Sequence, residues 1–152
     1  MNRRRGLTLI ELMIGMVILG ILAAAVMPTT QKLVKRRKEM ELRRRLLEVR
    51  EAIDRFKRAS DEGIIKVRDI DQLGYPEDFD ELVEGAPLKK NNHQKMRFLR
   101  SIPVDPMTGE AEWGMRSVQD DPDDKSWGGE NLFDIYSLSD GTALDGTAYS
   151  DW

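Results

Sequence analysis

A single carboxylate interrupts the most apolar part of this sequence. The run from Leu7 to Met27 contains 21 residues, and Glu11 is its one charged side chain. An ionised carboxylate in an apolar segment of membrane length costs roughly a few kcal/mol unless a cation or another polar partner offsets it. A pair of opposite charges at low dielectric would also fix the register of two packed helices. We therefore expect Glu11 to dock onto another subunit, and the alternative is a carboxylate that extends to the lipid headgroups.

Other residues that could do chemistry give weaker signals. His93 is the only histidine and the chain has no cysteine, so neither a histidine-dependent nucleophile nor a thiolate zinc site is indicated. Asp120, Asp121, Asp123 and Asp124 lie close together, but they lack the mid-loop glycine of an EF-hand and are expected to form a solvated loop. We predict no enzymatic activity, and a membrane-tethered hydrolase that uses two spaced carboxylates is the distant alternative.

The charged residues divide the chain into a basic and an acidic part. Residues 1–60 carry 15 Lys/Arg and 6 Asp/Glu, whereas residues 61–152 carry 9 and 21. This division predicts a basic stalk that carries an acidic head. A basic helix could neutralise phosphates. A membrane segment next to it would hold it outside the cytoplasm, however, so no nucleic-acid partner is expected.

The apolar run is long enough to cross a membrane. As a helix that rises about 1.5 Å per residue, it spans ~32 Å, close to the thickness of the hydrocarbon core. A secretory signal peptide is the alternative, because Ala23-Ala24-Ala25 is similar to its cleavage site. The arginines at positions 3–5 favour a cytoplasmic amino terminus, but five basic residues at 32–38 favour the reverse, so charge leaves the orientation open. We assign residues 7–30 to a transmembrane and assembly helix.

A second helical segment, residues 31–60, follows the apolar run. It contains neither proline nor glycine and is rich in strong helix formers. Its apolar residues recur at spacings of three and four, which places them along one stripe: Leu42, Leu46, Val49, Ile53 and Phe56. We expect this stripe to pack on its own domain, and an intermolecular coiled coil is the alternative. Pro28 should kink a helix that otherwise continues from the run into this segment.

Residues 61–152 have the composition of a small head, with short segments separated by glycine, proline and aspartate. Pro76 suits the first turn of a short helix that Gly85 ends, and a second short helix is expected near residues 94–100. Mixed aromatic and branched residues predict antiparallel strands at 112–118 and 132–138. The expected fold class is α+β, with a long N-terminal transmembrane and stalk helix followed by a globular head of short helices and an antiparallel β-sheet.

The segment Gly6-Leu7-Thr8-Leu9-Ile10-Glu11-Leu12, with arginines before it and an apolar helix after it, resembles the class III signal of type IV pilins and type II secretion pseudopilins. The resemblance implies that a prepilin peptidase removes the leader, residues 1–6, by cutting between Gly6 and Leu7. It implies further that the new amino group of Leu7 is methylated and pairs with Glu11 of a neighbouring subunit. Most members of the family have phenylalanine where this chain has Leu7. Pro28 matches a position where the helix melts during filament assembly, and an ordinary kink is the alternative.

Two segments of the head resemble the major pseudopilins in particular. Residues 102–109 correspond to a stretch in which Asp-Pro-Trp-Gly is usual, although Met107-Thr108 replaces the tryptophan. Residues 134–141, 144–146 and 150–152 are similar to the calcium-holding C-terminal loop of that family. In this chain the C-terminal loop is residues 138–152, and the carbonyl and carboxylate oxygens of residues 138–151 suit a hard cation. By position, the resemblance assigns the calcium ligands as the carbonyl of Leu138 and the side chains of Asp140, Asp145 and Asp151. The expected fold is thus pilin-like with a calcium-type C-terminal loop, and the alternative for this loop is a solvated acidic tail.

The resemblance implies a structural subunit of a type II secretion pseudopilus. Each copy would be held in the inner membrane by a single-pass helix with its head in the periplasm, and copies would stack into a helical homopolymer that drives protein export. The expected partners are further copies of the chain, the minor pseudopilins, the prepilin peptidase and the inner-membrane secretion platform. A type IV pilin or a minor pseudopilin is the alternative. The absence of cysteine disfavours a disulfide-closed pilin, and Glu11 disfavours a minor subunit.

Overall fold

One long helix forms the N-terminal part of this chain. The structure, a computed structural model, describes residues 8–66, 72–121, 124 and 126–152, with the backbone alone for residues 24–30. Helix α1 spans Leu9–Asp61 and so includes most of the two helical segments predicted from the sequence. The chain is helical through position 28. The predicted long N-terminal helix is confirmed.

Helix α1 ends at a glycine that takes up a left-handed conformation. Gly63 has φ +67°, and its amide donates to the carbonyl of Ser60 at 2.9 Å. The amide of Ile64 donates to the carbonyl of Ala59 at 2.9 Å. This pair of bonds is a Schellman motif, which satisfies the last carbonyls of a helix and turns the chain away from its axis.

The chain divides into two compact units, Met1–Arg37 and Lys38–Trp152. In the first unit the large apolar side chains between Leu9 and Leu22 are 52–81% exposed. Among the residues that the structure describes, no helical segment combines the length and the apolar character that a membrane crossing requires.

The second unit holds the hydrophobic core, and α1 supplies one wall of it. The five stripe residues predicted from the sequence, from Leu42 to Phe56, are at most 2% exposed. They belong to one cluster with apolar side chains of the head, among them Ile65, Leu82, Phe98, Leu132 and Ile135. The rings of Phe56 and Phe98 lie 5.0 Å apart at a tilted angle. The stripe therefore packs on its own domain, as expected, and not in an intermolecular coiled coil.

A short helix, α2, spans Phe79–Glu84 close to the position predicted from Pro76 and Gly85. Asp78 caps its first turn, because the carboxylate accepts from the amide of Glu81 at 2.9 Å. Gly85 ends the helix with φ +89°. The helix thus begins three residues beyond Pro76, directly after Asp78, whose carboxylate satisfies a free amide.

The strands of the head form two small antiparallel sheets. Strand β1 (Ala86–Pro87) pairs with β2 (Lys95–Met96), and β3 (Gly114–Arg116) pairs with β4 (Asp134–Tyr136). Strands β3 and β4 lie within the segments 112–118 and 132–138 that were predicted from the sequence, but each is only three residues long. A 3₁₀ turn at Tyr149–Asp151 lies in the C-terminal loop. Together with α1, these strands confirm the α+β fold class.

The helix predicted near residues 94–100 is wrong. Lys95 and Met96 form β2 instead, and the amides of Phe98 and Leu99 both donate to the carbonyl of Leu82 at 3.0 Å. Because these two amides bind the carbonyl at the end of α2, they cannot bond within a helix of their own. The backbones of Gly85 and Met96 lie close together, since a Cβ built on Gly85 would be 2.6 Å from the carbonyl oxygen of Met96.

Candidate functional site

The predicted processing site lies outside the described residues. Gly6 and Leu7 precede residue 8, where the description begins, so cleavage between them and methylation of Leu7 stay predictions. The first described residue, Thr8, is the N-cap of α1. Its hydroxyl accepts from the amide of Glu11 at 3.3 Å, which is one half of the capping-box pattern in which a threonine precedes a glutamate by three residues.

Glu11 lies in the first turn of α1, and its side chain is exposed. Ile14, which lies on the same face about one turn later, is apolar and 55% exposed, and the adjacent Ile10 is 67% exposed. The first turn of a helix carries partial positive charge, which favours a carboxylate there. Pro28, the second residue predicted to act in assembly, lies in a helical stretch for which only the backbone is described.

The four predicted calcium ligands lie in the exposed C-terminal loop. Leu138 is 48% exposed, and the side chains of Asp140, Asp145 and Asp151 are all exposed. The carboxylate of Asp145 accepts from the amide of Thr147 at 3.0 Å and from its hydroxyl at 2.7 Å, both through Oδ1. Its other oxygen, Oδ2, lies 3.6 Å from Nη2 of Arg43 in α1. These bonds from Thr147, and then the charge of Arg43, lower the pKa of Asp145 below its ordinary value of 3.8.

This arrangement does not fit a calcium ion as it stands. Calcium takes six to eight oxygen ligands, usually including several carboxylates. Within the described ranges, no three acidic or histidine side chains gather where they could hold a metal ion. Both oxygens of Asp145 are already engaged, one with Thr147 and one with a guanidinium. Calcium binding by this loop stays a prediction that rests on the resemblance.

The structure adds a residue that the sequence analysis did not select. Glu39 of α1 is only 9% exposed, and its Oε1 accepts from the amide of Leu144 at 2.8 Å and from the hydroxyl of Tyr149 at 3.1 Å. Burial and the bond to Glu39 raise the pKa of Tyr149 to about 12. A signal was present in the sequence, because Glu39 precedes Leu42 by three residues and so continues the apolar stripe.

Two arginines of α1 also contact the C-terminal loop or its neighbour β4. Arg50 donates to both carboxylate oxygens of Asp134, at 2.6 and 3.1 Å, and to the main-chain oxygen of Trp152 at 2.6 Å. The guanidinium of Arg43 lies 4.2 Å from the centre of the Trp152 ring, a cation–π distance. The two-point contact of Arg50 with a carboxylate is the geometry that a guanidinium favours.

The segment 102–109, which resembles the major pseudopilins, forms a turn in which Pro103 and Asp105 are buried. The carboxylate of Asp105 is fully buried and accepts from the amide of Met107 at 2.7 Å and from the hydroxyl of Ser137 at 2.5 Å. The indole of Trp113 donates to the carbonyl of Pro103 at 2.9 Å. These contacts join the turn to the residue that precedes β3 and to the residue that follows β4, so its role is structural.

The acidic residues near 120 have local structural contacts. Asp120 accepts from the amides of Ser117 at 2.7 Å and Gly128 at 3.2 Å, so its carboxylate closes the loop between β3 and β4. Asp121 and Asp124 are exposed, as predicted, and Asp123 lies outside the described residues. His93 is exposed, as is usual for a histidine in a polar turn.

Comparison with known proteins defines first a class and then a family. Residues 1–27 match the prokaryotic N-terminal methylation motif, the class indicated by the segment from Gly6 to Leu12. Over 146 residues the chain is 33% identical to the type II secretion system core protein G of Pseudomonas aeruginosa, an alignment that covers 91% of this chain and 86% of that protein. No solved structure matches the chain. The chain therefore belongs to the type II secretion system core protein G family, and the prediction of a major pseudopilin is confirmed.

Proposed function

We propose that the mature chain polymerises through its N-terminal helix into a pseudopilus that drives protein export. The observation that carries this proposal is the similarity, along 91% of the chain, to a core protein of a type II secretion system. The exposed apolar side chains between Leu9 and Leu22 support it, because a surface of this kind requires a partner. Contacts that join unlike surfaces of identical copies, and that repeat without closing, generate a helical filament.

Processing supplies the cation that Glu11 requires. The prepilin peptidase cuts between Gly6 and Leu7, in keeping with the methylation motif at residues 1–27, and leaves a methylated amine on Leu7. Within one chain this amine and Glu11 are about one helical turn apart, where their attraction is modest. Between neighbouring chains the two groups neutralise each other in apolar surroundings and set the axial register of the helices. Pro28 then permits local opening of the helix as subunits leave the membrane.

Before assembly, the chain resides in the inner membrane with residues 7–30 as a single-pass anchor and its head in the periplasm. The 21-residue apolar run in the sequence supports this location, since its length as a helix matches a bilayer core. The partners there are the prepilin peptidase, the minor pseudopilins and the inner-membrane secretion platform. None of these contacts requires catalysis by this chain.

Opposite charges assist the lateral packing of neighbouring subunits. The basic residues of α1 include exposed arginines, and the C-terminal loop presents exposed aspartates. Such exposed charges attract over about 10 Å at moderate ionic strength and are screened as salt increases. We therefore expect filament yield to fall at high salt, and an unchanged yield would contradict this contribution.

The test of the proposal separates processing from assembly. The intact mass of the membrane-extracted wild-type chain should show loss of residues 1–6 and gain of one methyl group. Glu11→Ala should give the same mass and the same membrane fraction, because removing a charge eases insertion. Its filament yield, measured by sedimentation and electron microscopy, should fall at least tenfold.

Glu48→Ala is the matched control for this experiment. Glu48 is an exposed glutamate of the same helix that contacts Arg45 about one turn earlier, so its removal should leave filament yield unchanged. Normal filaments from Glu11→Ala would refute the docking role of this carboxylate. Filaments built from chains that keep their leader would refute the proposed polymer contact altogether, since the amine could not then reach a neighbour.

A further inference from the structure

We propose that α1 fastens the C-terminal loop through Glu39, so that the order of this loop does not depend on a calcium ion. The Glu39 carboxylate is 9% exposed and lies on the helix, more than 100 residues before the groups it binds. It accepts from the amide of Leu144 at 2.8 Å and from the hydroxyl of Tyr149 at 3.1 Å. Hydrogen bonds to an ionised acceptor are about twice as strong as those between neutral groups.

Two cations of the same helix also contact the loop, and both contact Trp152. Arg43 follows Glu39 by about one turn and contacts both the carboxylate of Asp145, at 3.6 Å, and the ring of Trp152, at 4.2 Å. Arg50 donates to the main-chain oxygen of Trp152 at 2.6 Å. The helix therefore offers one anion and two cations to a segment that presents the opposite charges and dipoles.

Within the loop, a chain of hydrogen bonds uses the groups that a cation would need. The indole of Trp152 donates to the hydroxyl of Thr147 at 2.7 Å, and that hydroxyl donates to Oδ1 of Asp145, also at 2.7 Å. The amide of Ala143 donates to the carbonyl of Thr147 at 2.7 Å and closes the turn. The ring of Tyr149 meets the ring of Trp152 edge to face, with centres 5.4 Å apart.

A calcium ion at Asp145 would have to compete with these contacts. It would compete with both donors of Thr147 at Oδ1, and it would meet the positive charge of Arg43 beside the same carboxylate. Like charges at such a distance repel, by an amount that water reduces at this exposed pair. The geometry thus assigns the fastening of the loop to Glu39, with Arg43 in the place of the countercharge.

Hydrogen exchange measured by mass spectrometry can test this assignment in the full-length processed chain in detergent. Glu39→Ala leaves two donors without an acceptor, so peptides covering residues 139–152 should exchange on the order of tenfold faster. Tyr149→Phe removes one of the two bonds and should give a smaller increase. Glu48 is an exposed glutamate of the same helix, so in Glu48→Ala the loop peptides should exchange at the wild-type rate. In the wild type, the loop peptides should exchange at the same rate in buffer with EGTA as in buffer with calcium.

Two results would overturn the proposal. The first is a rate of hydrogen exchange in the loop that is the same in Glu39→Ala as in Glu48→Ala, which would show that the Glu39 carboxylate does not stabilise the loop. The second is loop exchange in the EGTA-treated wild type as fast as in Glu39→Ala, which would assign the fastening to the ion. If Glu39→Ala also speeds exchange in the core peptide 42–56, the Tyr149→Phe variant decides. Faster exchange of its loop peptides alone supports the proposal, and an unchanged rate in them overturns it.

Discussion

Replacement of Asp105 tests how the head is held together, because its carboxylate is fully buried. Asp105→Ala would leave the amide of Met107 and the hydroxyl of Ser137 without their acceptor. A hydrogen bond to a charged group contributes roughly 1.5–3 kcal/mol net, and a buried donor left unpaired costs a similar amount. Two such bonds are lost, so the free energy of unfolding should fall by about 3–5 kcal/mol.

Asp105→Asn and a double-mutant cycle show whether the hydrogen bonds are the cause. The amide oxygen of asparagine can accept from Met107 and its nitrogen can donate to Ser137, so the loss should be only about 1 kcal/mol. Asp105→Ala combined with Ser137→Ala should cost about 1–2 kcal/mol less than the sum of the single changes, because the two groups form one bond.

Denaturant unfolding of the full-length chain in detergent, followed by near-ultraviolet circular dichroism, measures these differences. Asp54→Ala is the control, since Asp54 is exposed and its loss should change stability by at most about 0.5 kcal/mol. If Asp105→Ala proved as stable as Asp54→Ala, the reasoning would be refuted. If the stability lost in the double variant equalled the sum of the two single losses, the effect would come from packing and not from the hydrogen bond between Asp105 and Ser137.

Two further predictions concern a close contact and the dependence of stability on pH. Gly114→Ala would place a Cβ 2.2 Å from the ring of Tyr136, so unfolding should cost about 1–3 kcal/mol less, whereas Gly15→Ala meets no atom within 4 Å and should not destabilise the chain. The raised pKa of Tyr149, about 12 against 10.0, means that the folded chain holds this proton more tightly. Its contribution to stability is therefore complete below pH 10 and is lost as pH rises through 12. In Tyr149→Phe the free energy of unfolding, measured by denaturant titration between about pH 9 and pH 12, should therefore decline less steeply with pH than in the wild type. The same decline in both proteins would contradict the assignment.

The elements that the sequence predicted well are those set by local periodicity. The stripe from Leu42 to Phe56 repeats every three to four residues, and every member is buried. The short helix near Pro76 also follows from local signals, with Asp78 as its cap and Gly85 at its end. In each case the residues that decide the structure lie within one or two turns of each other.

The contacts that the sequence did not predict join residues far apart in the chain. Glu39 reaches Tyr149 across 110 residues, and Arg50 reaches Asp134 across 84. The segment 94–100 has the composition of a short helix, yet it does not form one, because the carbonyl of Leu82 accepts from two of its amides. Tertiary partners of this kind override local propensity. A charged residue in phase with an apolar stripe, as Glu39 is, was the one available signal of a buried partner.

The two ends of α1 differ in what satisfies their apolar side chains, and this difference separates assembly from folding. Side chains from Leu9 to Leu22 are largely exposed in the single chain, whereas those from Leu42 to Phe56 are already buried against the head. Exposed apolar surface gains its stabilisation only when a second molecule covers it. Substitutions near Glu11 should therefore abolish filaments and leave the unfolding of the head unchanged. Substitutions at Phe56 should lower the stability of the head itself by about 3–5 kcal/mol and reduce filaments only through loss of folded subunits.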